Sequence, residues 1–408
     1  MPSTTLTGSD HPVFKRFSRQ QLVVRRRNIG FQALIFEPIQ SRASRCKHCG
    51  RQFNTVWKEY LCHVCGFWVC QPCSCVIERE REMQYIHFIR SCMDCLSMLN
   101  KWSDADLLAE FAMSPWVVTS SKKQISLNIS DTLRTQKESR RAVLTILKQL
   151  GMAVDPMAPY IDAIPEDEWV AASTPGGPQG SDTRESSCGP DDTAAERVQY
   201  LVQQCFEVVI PELTLQECVF AESDGSRQYP IHFIDPEEPP HAPILTSETE
   251  RQAAIDRYGL LTRSLNTPVM QLICDLIARE FEAKNAIISV VNADLQHTIA
   301  CASTGTCNTH DRSQAFCAYA LTSHLPYMVR DAALDTRFRN FEAVRGGQRL
   351  LFYFGYPILG ENGKTIASLC VLDTKPRKNI TTMQYSITKK FAGIISALWQ
   401  ELIVASTV

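Results

Sequence analysis

Residues 46–73 read CKHCGRQFNTVWKEYLCHVCGFWVCQPC, and residues 92–95 read CMDC. Eight cysteines in these two stretches form four C-x2-C pairs. Each C-x2-C turn can present two thiolates to one tetrahedral Zn²⁺, so four pairs are enough for two closed four-cysteine sites. A closed site leaves no position for a substrate, which indicates structural metal. The predicted cofactor is two Zn²⁺ ions, and the predicted ligands are Cys46, Cys49, Cys62, Cys65, Cys70, Cys73, Cys92 and Cys95.

The cysteine content of the whole chain supports a metal site. The chain of 408 residues contains 17 cysteines, and nine of them lie within residues 46–95. Residues 1–10 are polar and lack the apolar core of a secretory signal. Without such a signal, clustered pairs of cysteines predict metal rather than disulfides. We therefore expect a cytoplasmic protein.

Charge is unevenly distributed along the chain. The formal net charge is −2, but residues 1–45 contain eight Lys and Arg against two acidic residues, a net charge of +6. This basic arm includes Arg25, Arg26 and Arg27, and such clusters can meet phosphates. We expect a weak interaction with an anionic or phosphoinositide membrane surface and no nucleic-acid partner.

The cysteine spacing resembles that of the FYVE-type zinc finger over about residues 40–100, with Phe53 and Gly66 at the family's aromatic and glycine positions. PHD and RING fingers share features of this spacing, although both usually place a histidine among the inner ligands, where this chain has Cys70. His63 stays open as an alternative ligand. The resemblance implies cross-brace binding, in which Cys46, Cys49, Cys70 and Cys73 hold one ion and Cys62, Cys65, Cys92 and Cys95 hold the other.

The chain departs from the FYVE pattern where that family recognises phosphatidylinositol 3-phosphate. The family carries a basic R-[RK]-H-H-C-R run at the third ligand, whereas residues 58–63 read KEYLCH, and no W-x-x-D precedes Cys46. Arg90 stands where the family has the arginine of an R-V-C element. The resemblance therefore implies weak lipid contact through Lys58, His63 and Arg90, and peripheral association with endosomal membranes. Trp57 is expected to pack on the finger rather than insert into a membrane.

Periodicity and turn residues define the rest of the chain. Residues 171–195 contain four Gly, three Pro and four Ser and read as a linker. Apolar spacing predicts helices from Asp131 to Leu150 and from Ala194 to Val209. The predicted segments are a basic arm at 1–45, a zinc finger at 46–100, a helical spacer at 101–170, a flexible linker at 171–195, a helix and extended connector at 196–249, and a C-terminal domain at 250–406.

The C-terminal segment alternates helix and strand. Asn362-Gly363 between apolar runs at 350–359 and 365–373 predicts a β-hairpin. Thr267-Pro268 predicts the start of one helix, and Thr381-x-x-Gln384 predicts the start of a long final helix. This order predicts an α+β domain with an antiparallel sheet and helices largely on one side.

The same segment resembles a GAF domain over roughly 150 residues. That resemblance implies a sensor that binds a small molecule or forms a homodimer, with a ligand pocket that stays unknown, since the N-K-x-F-D-E signature of the cyclic-nucleotide subset is absent. Asp331, Asp335 and Arg337 are expected to form a loop ion pair. The resembling stretches are RYGLL at 257–261, FCAYA at 316–320, DAALDTRF at 331–338, FGYP at 354–357 and LCVLD at 369–373.

Catalytic motifs are weak throughout the chain, which has no P-loop, G-x-S-x-G or H-E-x-x-H. We therefore expect a multi-domain α+β, non-enzymatic, zinc-binding signalling or trafficking adaptor. Two alternatives stay open. The first is a protein-binding finger of RING or PHD character. The second is a GAF-type free methionine sulfoxide reductase that uses Cys301 and Cys307.

Overall fold

A computed structural model describes residues 44–62, 64–78, 88–99, 117–120, 124–171, 192–222, 229–232, 238–263, 265, 267–303 and 307–407. Residues 1–43 of the predicted basic arm and most of the predicted linker lie outside these residues. No helix within the described ranges has both the length and the apolar composition needed to cross a membrane.

The cysteine-rich segment folds as two small antiparallel hairpins and a helix. Strands β1 (Glu59–Leu61) and β2 (Trp68–Cys70) pair so that Glu59 lies opposite Cys70. Strands β3 (Ser74–Glu78) and β4 (Phe88–Cys92) pair so that Ser74 lies opposite Cys92. Helix α1 (Met93–Leu99) follows directly. Strands β2 and β4 therefore end at cysteines, and β1 and β3 lie directly beside Cys62 and Cys73.

The chain next forms a helical layer, which consists of a short strand and three helices. These are strand β5 (Val117–Val118) and helices α2 (Ile125–Thr135), α3 (Arg140–Gln149) and α4 (Glu166–Ala171). The single helix predicted from Asp131 to Leu150 is wrong, because the backbone leaves the helical region at Gln136 (φ −127°, ψ 86°). The buried Arg140 donates to the Leu133 carbonyl at 2.8 Å and so satisfies one of the open carbonyls at the end of α2.

The predicted helix at 194–209 is confirmed as α5 (Ala194–Val208). Thr193 and Glu196 form a complete capping box at its start. Its buried residues share one hydrophobic core with α2, α3 and α4 and with the helices of the C-terminal sheet. The segment predicted as a spacer therefore contributes to the core of the C-terminal segment, and residues 172–191 join two parts of that core.

The C-terminal segment is a six-stranded antiparallel sheet, as the alternation predicts. The elements of this segment are α6 (Glu248–Tyr258), α7 (Pro268–Phe281), β6 (Asn285–Val291), β7 (Leu295–Cys301), β8 (Thr309–Asp311), α8 (Phe316–Ala320), β9 (Tyr327–Val329), α9 (Glu342–Arg345), β10 (Phe352–Leu359), β11 (Thr365–Asp373), β12 (Ile380–Thr381) and α10 (Thr382–Thr407). The strand order in the sheet is β8-β7-β6-β11-β10-β9.

Three local predictions in this segment are confirmed. The β10–β11 hairpin turns at Gly363, whose φ of +72° is a conformation that glycine adopts at little cost. The hydroxyl of Thr267 accepts from the N–H of Met270 at the start of α7. Thr381 and Gln384 exchange two hydrogen bonds at 3.0 Å at the start of α10.

The two faces of the sheet pack against different partners. On β6, Ile288 and Val290 join the core that holds α7 and α10. Ile287 and Val291 alternate with them and join a second cluster, which contains α8 and the cysteine-rich segment. The long helices therefore cover one face, as predicted, and the opposite face is left to short elements.

Arg140 supports a prediction about the helical layer. Its guanidinium makes two hydrogen bonds to Glu166, at 3.0 and 2.8 Å, which lower the pKa of that carboxyl, and it stacks 4.7 Å from the Trp169 ring. We expect Arg140→Ala to lower the free energy of unfolding by about 2–3 kcal/mol, because it leaves the Leu133 carbonyl unpaired and removes the stacking.

The matched control is Arg141→Ala, since Arg141 is exposed and its ion pair with Asp162 lies at the surface. It should change stability by less than about 0.5 kcal/mol. Urea titration followed by tryptophan fluorescence measures both variants. Equal losses of stability would show that the buried contacts of Arg140 are unimportant.

Candidate metal centre

The eight cysteines gather into two groups of four. One group contains Cys46, Cys49, Cys70 and Cys73, and the other contains Cys62, Cys65, Cys92 and Cys95. Within each group all four Sγ atoms lie within 4.8 Å of one another. Each group could hold one metal ion. The grouping is the interleaved one that the finger resemblance implies, with the first and third pairs together and the second and fourth pairs together.

The sulfur separations fit a tetrahedral ion. Four sulfurs placed about 2.3 Å from a common centre lie about 3.8 Å apart. The Sγ atoms of Cys49 and Cys70 are 3.7 Å apart, and those of Cys65 and Cys92 are 3.8 Å apart. Every member of the two groups is buried except Cys49. Both groups are therefore compact enough to close around an ion.

The first turn of each group has the same backbone geometry. The N–H of Gly50 donates to the Cys46 carbonyl at 2.9 Å, and the N–H of Gly66 donates to the Cys62 carbonyl at 2.9 Å. Both glycines have positive φ, +69° and +75°. A C-x2-C-G sequence can make this turn without strain because glycine has no Cβ. The sequence contains this signal at both positions.

Backbone amides point at the sulfurs and favour their ionised form. The N–H of Cys70 donates to Cys46 Sγ at 3.3 Å, and the N–H of Cys92 donates to Cys62 Sγ at 3.2 Å. The N–H of Arg51 lowers the pKa of the exposed Cys49 thiol to about 7. Since metal binds the thiolate, these donors prepare the groups for an ion.

Two neighbouring side chains lie outside both groups. The buried Cys75 donates to the Ser91 carbonyl rather than joining the sulfurs. His48 Nδ1 lies 2.8 Å from the Asp94 carboxylate. Asp94 lies between the last two cysteines and His48 between the first two, so this contact links one group to the other.

The residues expected to contact lipid are not gathered at one surface. Lys58 is exposed, but Arg90 is fully buried. Arg90 donates to Ser74 Oγ at 2.7 Å, and its guanidinium lies 4.2 Å from the centre of the Tyr60 ring. Its charge is therefore held inside the cysteine-rich segment, and its lipid contact stays a prediction. His63 lies outside the described residues.

The loop before β1 packs as expected. Asn54 Oδ1 accepts from the N–H groups of Val56 and Trp57 at 2.9 and 2.8 Å, which closes a tight turn. The Trp57 ring lies 4.0 Å from the Arg51 guanidinium, so it packs on the finger. Val56 at the tip is 82% exposed.

A short strap at residues 229–231 joins the second cysteine group to the C-terminal sheet. The N–H of Ile231 donates to the Cys65 carbonyl at 2.6 Å. The Tyr229 hydroxyl accepts from the buried Arg337 at 2.9 Å. Arg337 also pairs with Asp335 at 2.7 Å, which confirms that part of the expected ion pair, and with Glu222 at 2.9 Å. No pattern in the sequence indicates that this part of the connector is a bridge.

Asp331 is not part of that ion pair. Its carboxylate accepts from the N–H of Ala333 at 3.1 Å. The structure does bring Cys301 and Cys307 together, as a disulfide between the end of β7 and the approach to β8.

Gly66 provides a test of the contact between finger and strap. A Cβ at this position would lie 1.9 Å from the Tyr229 carbonyl oxygen, whereas a Cβ at Gly50 would meet nothing within 4 Å. Both positions have positive φ, so alanine costs each about 1–2 kcal/mol. We expect Gly66→Ala to destabilise the protein clearly more than Gly50→Ala, as measured by thermal unfolding of the full chain.

Gly50→Ala is the matched control for backbone strain. Metal content measured on both variants shows whether each turn still holds its ion. If the two substitutions lower the unfolding temperature equally, the strap does not press on Gly66.

Comparisons with known proteins cover part of the chain. No family model matches it. The chain is 32% identical over 155 residues to a curated cyclic di-GMP phosphodiesterase of Pseudomonas aeruginosa. The match covers 38% of this chain and 26% of that protein, so the chain spans about a quarter of the length of this relative.

Similar solved structures include GAF and chromophore-binding domains. The GAF domain of an Acinetobacter phosphoenolpyruvate-protein phosphotransferase is 10% identical with a TM-score of 0.29, and the match covers 39% of this chain and 98% of that one. The chromophore-binding domain of a bacteriophytochrome from R. palustris is 11% identical with a TM-score of 0.29, and the match covers 39% of this chain and 62% of that one.

Proposed function

We propose that the chain is a non-enzymatic signalling adaptor in which a finger with two structural Zn²⁺ ions is docked on a GAF-like sensor domain. The observation that carries the proposal is the pair of interleaved four-cysteine groups with tetrahedral sulfur spacing. Tetrahedral sites with four sulfurs suit zinc or iron, and the C-x2-C turns of a small finger are typical of structural zinc.

The metal sites would hold the finger together. The described strands of this segment have three to five residues only, and so small a unit has little core of its own. With four thiolates per ion no position remains for a substrate. The two ions therefore act on folding, and the surface around them is what a partner meets.

The finger is better suited to a protein partner than to a specific lipid headgroup. Recognition of a 3-phosphate relies on several charge-assisted hydrogen bonds, and the buried Arg90 does not supply one. The burial of Arg90 therefore supports the alternative in which the finger binds a protein, as RING and PHD fingers do. Peripheral association with an endosomal membrane would then depend on the basic arm.

The sensor part of the proposal rests on the C-terminal segment. Its antiparallel sheet and its sequence stretches resemble a GAF domain, and the chain has a relative among bacterial signalling enzymes. Only about a quarter of that relative is matched, so its phosphodiesterase activity is not part of the proposal. Such domains bind small molecules or dimerise, and a homodimer through this segment completes the proposal.

A second candidate, the GAF-type free methionine sulfoxide reductase, is favoured by one observation, the disulfide between Cys301 and Cys307. A thiol pair that closes to a disulfide is what such chemistry needs. Turnover of free methionine sulfoxide by the full chain, lost in Cys301→Ser, would replace the adaptor proposal.

One prediction of this proposal concerns the metal content of the chain. The purified full chain should contain two zinc ions, measured by native mass spectrometry and elemental analysis. Chelation should unfold the finger, since the binding energy of structural zinc is folding energy. Cys62→Ser should lose one ion, because it removes one of four ligands from the buried group.

Cys75→Ser is the matched control, since Cys75 is a buried cysteine outside both groups. It should keep both ions. Iron in place of zinc, a single ion in the wild type, or a chelated protein that keeps its structure would contradict the proposal.

Another prediction of this proposal concerns binding of the chain to anionic membranes. Flotation of the full chain with anionic liposomes should be weak and should fall steeply with added salt, because salt screens charges at a surface. Each basic residue near such a surface contributes about 1 kcal/mol. Replacing Arg25, Arg26 and Arg27 with Gln should therefore abolish flotation, while Lys58→Gln should change it little. Tight, salt-insensitive binding selective for phosphatidylinositol 3-phosphate would show that the finger does recognise the headgroup.

A further inference from the structure

Two buried cysteines of the C-terminal sheet lie in contact with each other. Cys317 on α8 and Cys370 on β11 place their Sγ atoms 3.4 Å apart. Their exposed fractions are 1% and 0%. Neither belongs to the two metal groups, and both are free thiols.

Hydroxyl groups surround these sulfurs and give them opposite roles. Ser289 Oγ donates to Cys317 Sγ at 3.0 Å, and the Tyr353 hydroxyl lies 3.4 Å from Cys317 Sγ and 3.3 Å from Cys370 Sγ. Cys370 Sγ instead acts as a donor, and its one proton can be given to Ser368 Oγ at 3.1 Å or to Cys317 Sγ at 3.4 Å. The two serine oxygens are 3.2 Å apart, so a chain of hydrogen bonds runs from Cys370 through both serines to Cys317.

This arrangement favours a thiolate beside a thiol. Burial alone raises the pKa of Cys317, but hydrogen bonds from Cys370, Ser289 and Tyr353 outweigh it and lower the pKa to about 7. Burial raises the pKa of Cys370, and its contact with Cys317 raises it further. The thiolate is the nucleophilic form, so the pair has an attacking and a resolving member.

The strand register builds this cluster. Ser289 on β6 lies directly opposite Ser368 on β11, and Cys370 lies opposite Gly355 on β10. A Cβ at Gly355 would lie 2.2 Å from the Tyr353 hydroxyl. Glycine at this position therefore leaves the room in which the phenol reaches both sulfurs.

A cavity of about 490 Å³ opens on the cluster. Cys317, Tyr353 and Phe316 line one part of it, and the polar side chains of Gln296, Thr298 and His310 line another. Cys317 therefore lies at the wall of a cavity with polar groups, although only 1% of its surface is exposed.

We propose that Cys317, which lines this cavity, and Cys370 beside it are an oxidisable thiol pair and that small hydroperoxides are their oxidant. The Cys317 sulfur attacks the O–O bond, takes one oxygen to become a sulfenic acid, and releases the other as an alcohol or water after it gains a proton. The Cys370 sulfur then bonds to Cys317, and the hydroxyl leaves as water with the proton of Cys370. The two thiols lose two electrons and the peroxide gains them. The hydroxyl chain offers the route for the proton, and the metal groups take no part.

The test oxidises the full-length, zinc-loaded protein with hydrogen peroxide at pH 7. Digestion without reductant and mass spectrometry then map the disulfides, and zinc content is followed in the same sample. We expect a peptide that links Cys317 to Cys370, reversed by dithiothreitol, before zinc is released. The buried Cys274, whose pKa is raised by burial, should stay reduced as an internal reference.

Two variants separate this chemistry from incidental oxidation. In Cys370→Ser the sulfenic acid at Cys317 should persist and be trapped by dimedone, because the resolving thiol is gone. Tyr353→Phe should slow the linkage about tenfold at pH 7 and move its pH profile upward, because one donor to the thiolate is lost. Cys274→Ser should leave the linkage unchanged.

Oxidation of Cys317 and Cys370 no faster than that of Cys274 would overturn the proposal. So would a linkage whose rate and pH profile are the same in Tyr353→Phe. The wild-type map decides the first point even if Cys370→Ser fails to fold.

Discussion

The interleaving of the two four-cysteine groups is the constraint on which the cysteine-rich segment depends. Each group takes two cysteines from one part of the segment and two from a later part. The first group needs the β1–β2 hairpin to bring Cys70 and Cys73 beside Cys46 and Cys49, and the second needs β4 to bring Cys92 and Cys95 beside Cys62 and Cys65. Strand β2 ends at Cys70 of one group and β4 ends at Cys92 of the other, so each strand delivers a ligand to a different group. The turns that begin at Cys46 and Cys62 end in Gly50 and Gly66, which have the positive φ that glycine adopts at little cost. The contact between His48 and Asp94 connects the two groups.

The strap at 229–231 connects this constraint to the rest of the molecule. One end bonds to the backbone at Cys65 and the other to the buried Arg337. Arg337 is costly to bury unless its charge is paired, and Asp335 and Glu222 supply that pairing. The cysteine-rich segment is thus attached through the paired Arg337, and a displacement there would separate buried charges. If the second group holds an ion as proposed, loss of that ion would free the Cys65 turn and act directly on this joint.

The two faces of the sheet are covered by different kinds of side chains. Helices α7 and α10 cover one face with a continuous apolar core, which makes it rigid. The other face carries short elements, the cavity and the sulfur cluster. Polar groups inside a protein have to be satisfied by one another, and Ser289, Ser368 and Tyr353 meet that need by bonding to sulfur. A reactive site can therefore exist on this face without weakening the core.

Local chemistry explains what the sequence by itself determined. The C-x2-C-G turns, the Asn362-Gly363 hairpin and the caps at Thr267 and Thr381 depend on residues within five positions of one another, so their patterns predict the turns, the hairpin and the helix starts. The antiparallel sheet follows from the same alternation of short signals. The pairing of the four C-x2-C units came from family resemblance, because spacing alone allows other pairings.

Only the tertiary structure decided which charges and thiols are available. The sequence shows Arg90 as a basic residue beside a ligand, and packing against Tyr60 and Ser74 buries it. Arg140 and Arg141 are adjacent in the sequence, yet Arg140 turns inward and bonds to the Leu133 carbonyl, close to the break at Gln136 in the helix that periodicity predicts. Cys317 and Cys370 are 53 residues apart and meet because α8 lies over the sheet. Contacts between distant segments depend on how whole faces pack, and no local pattern in the chain records them.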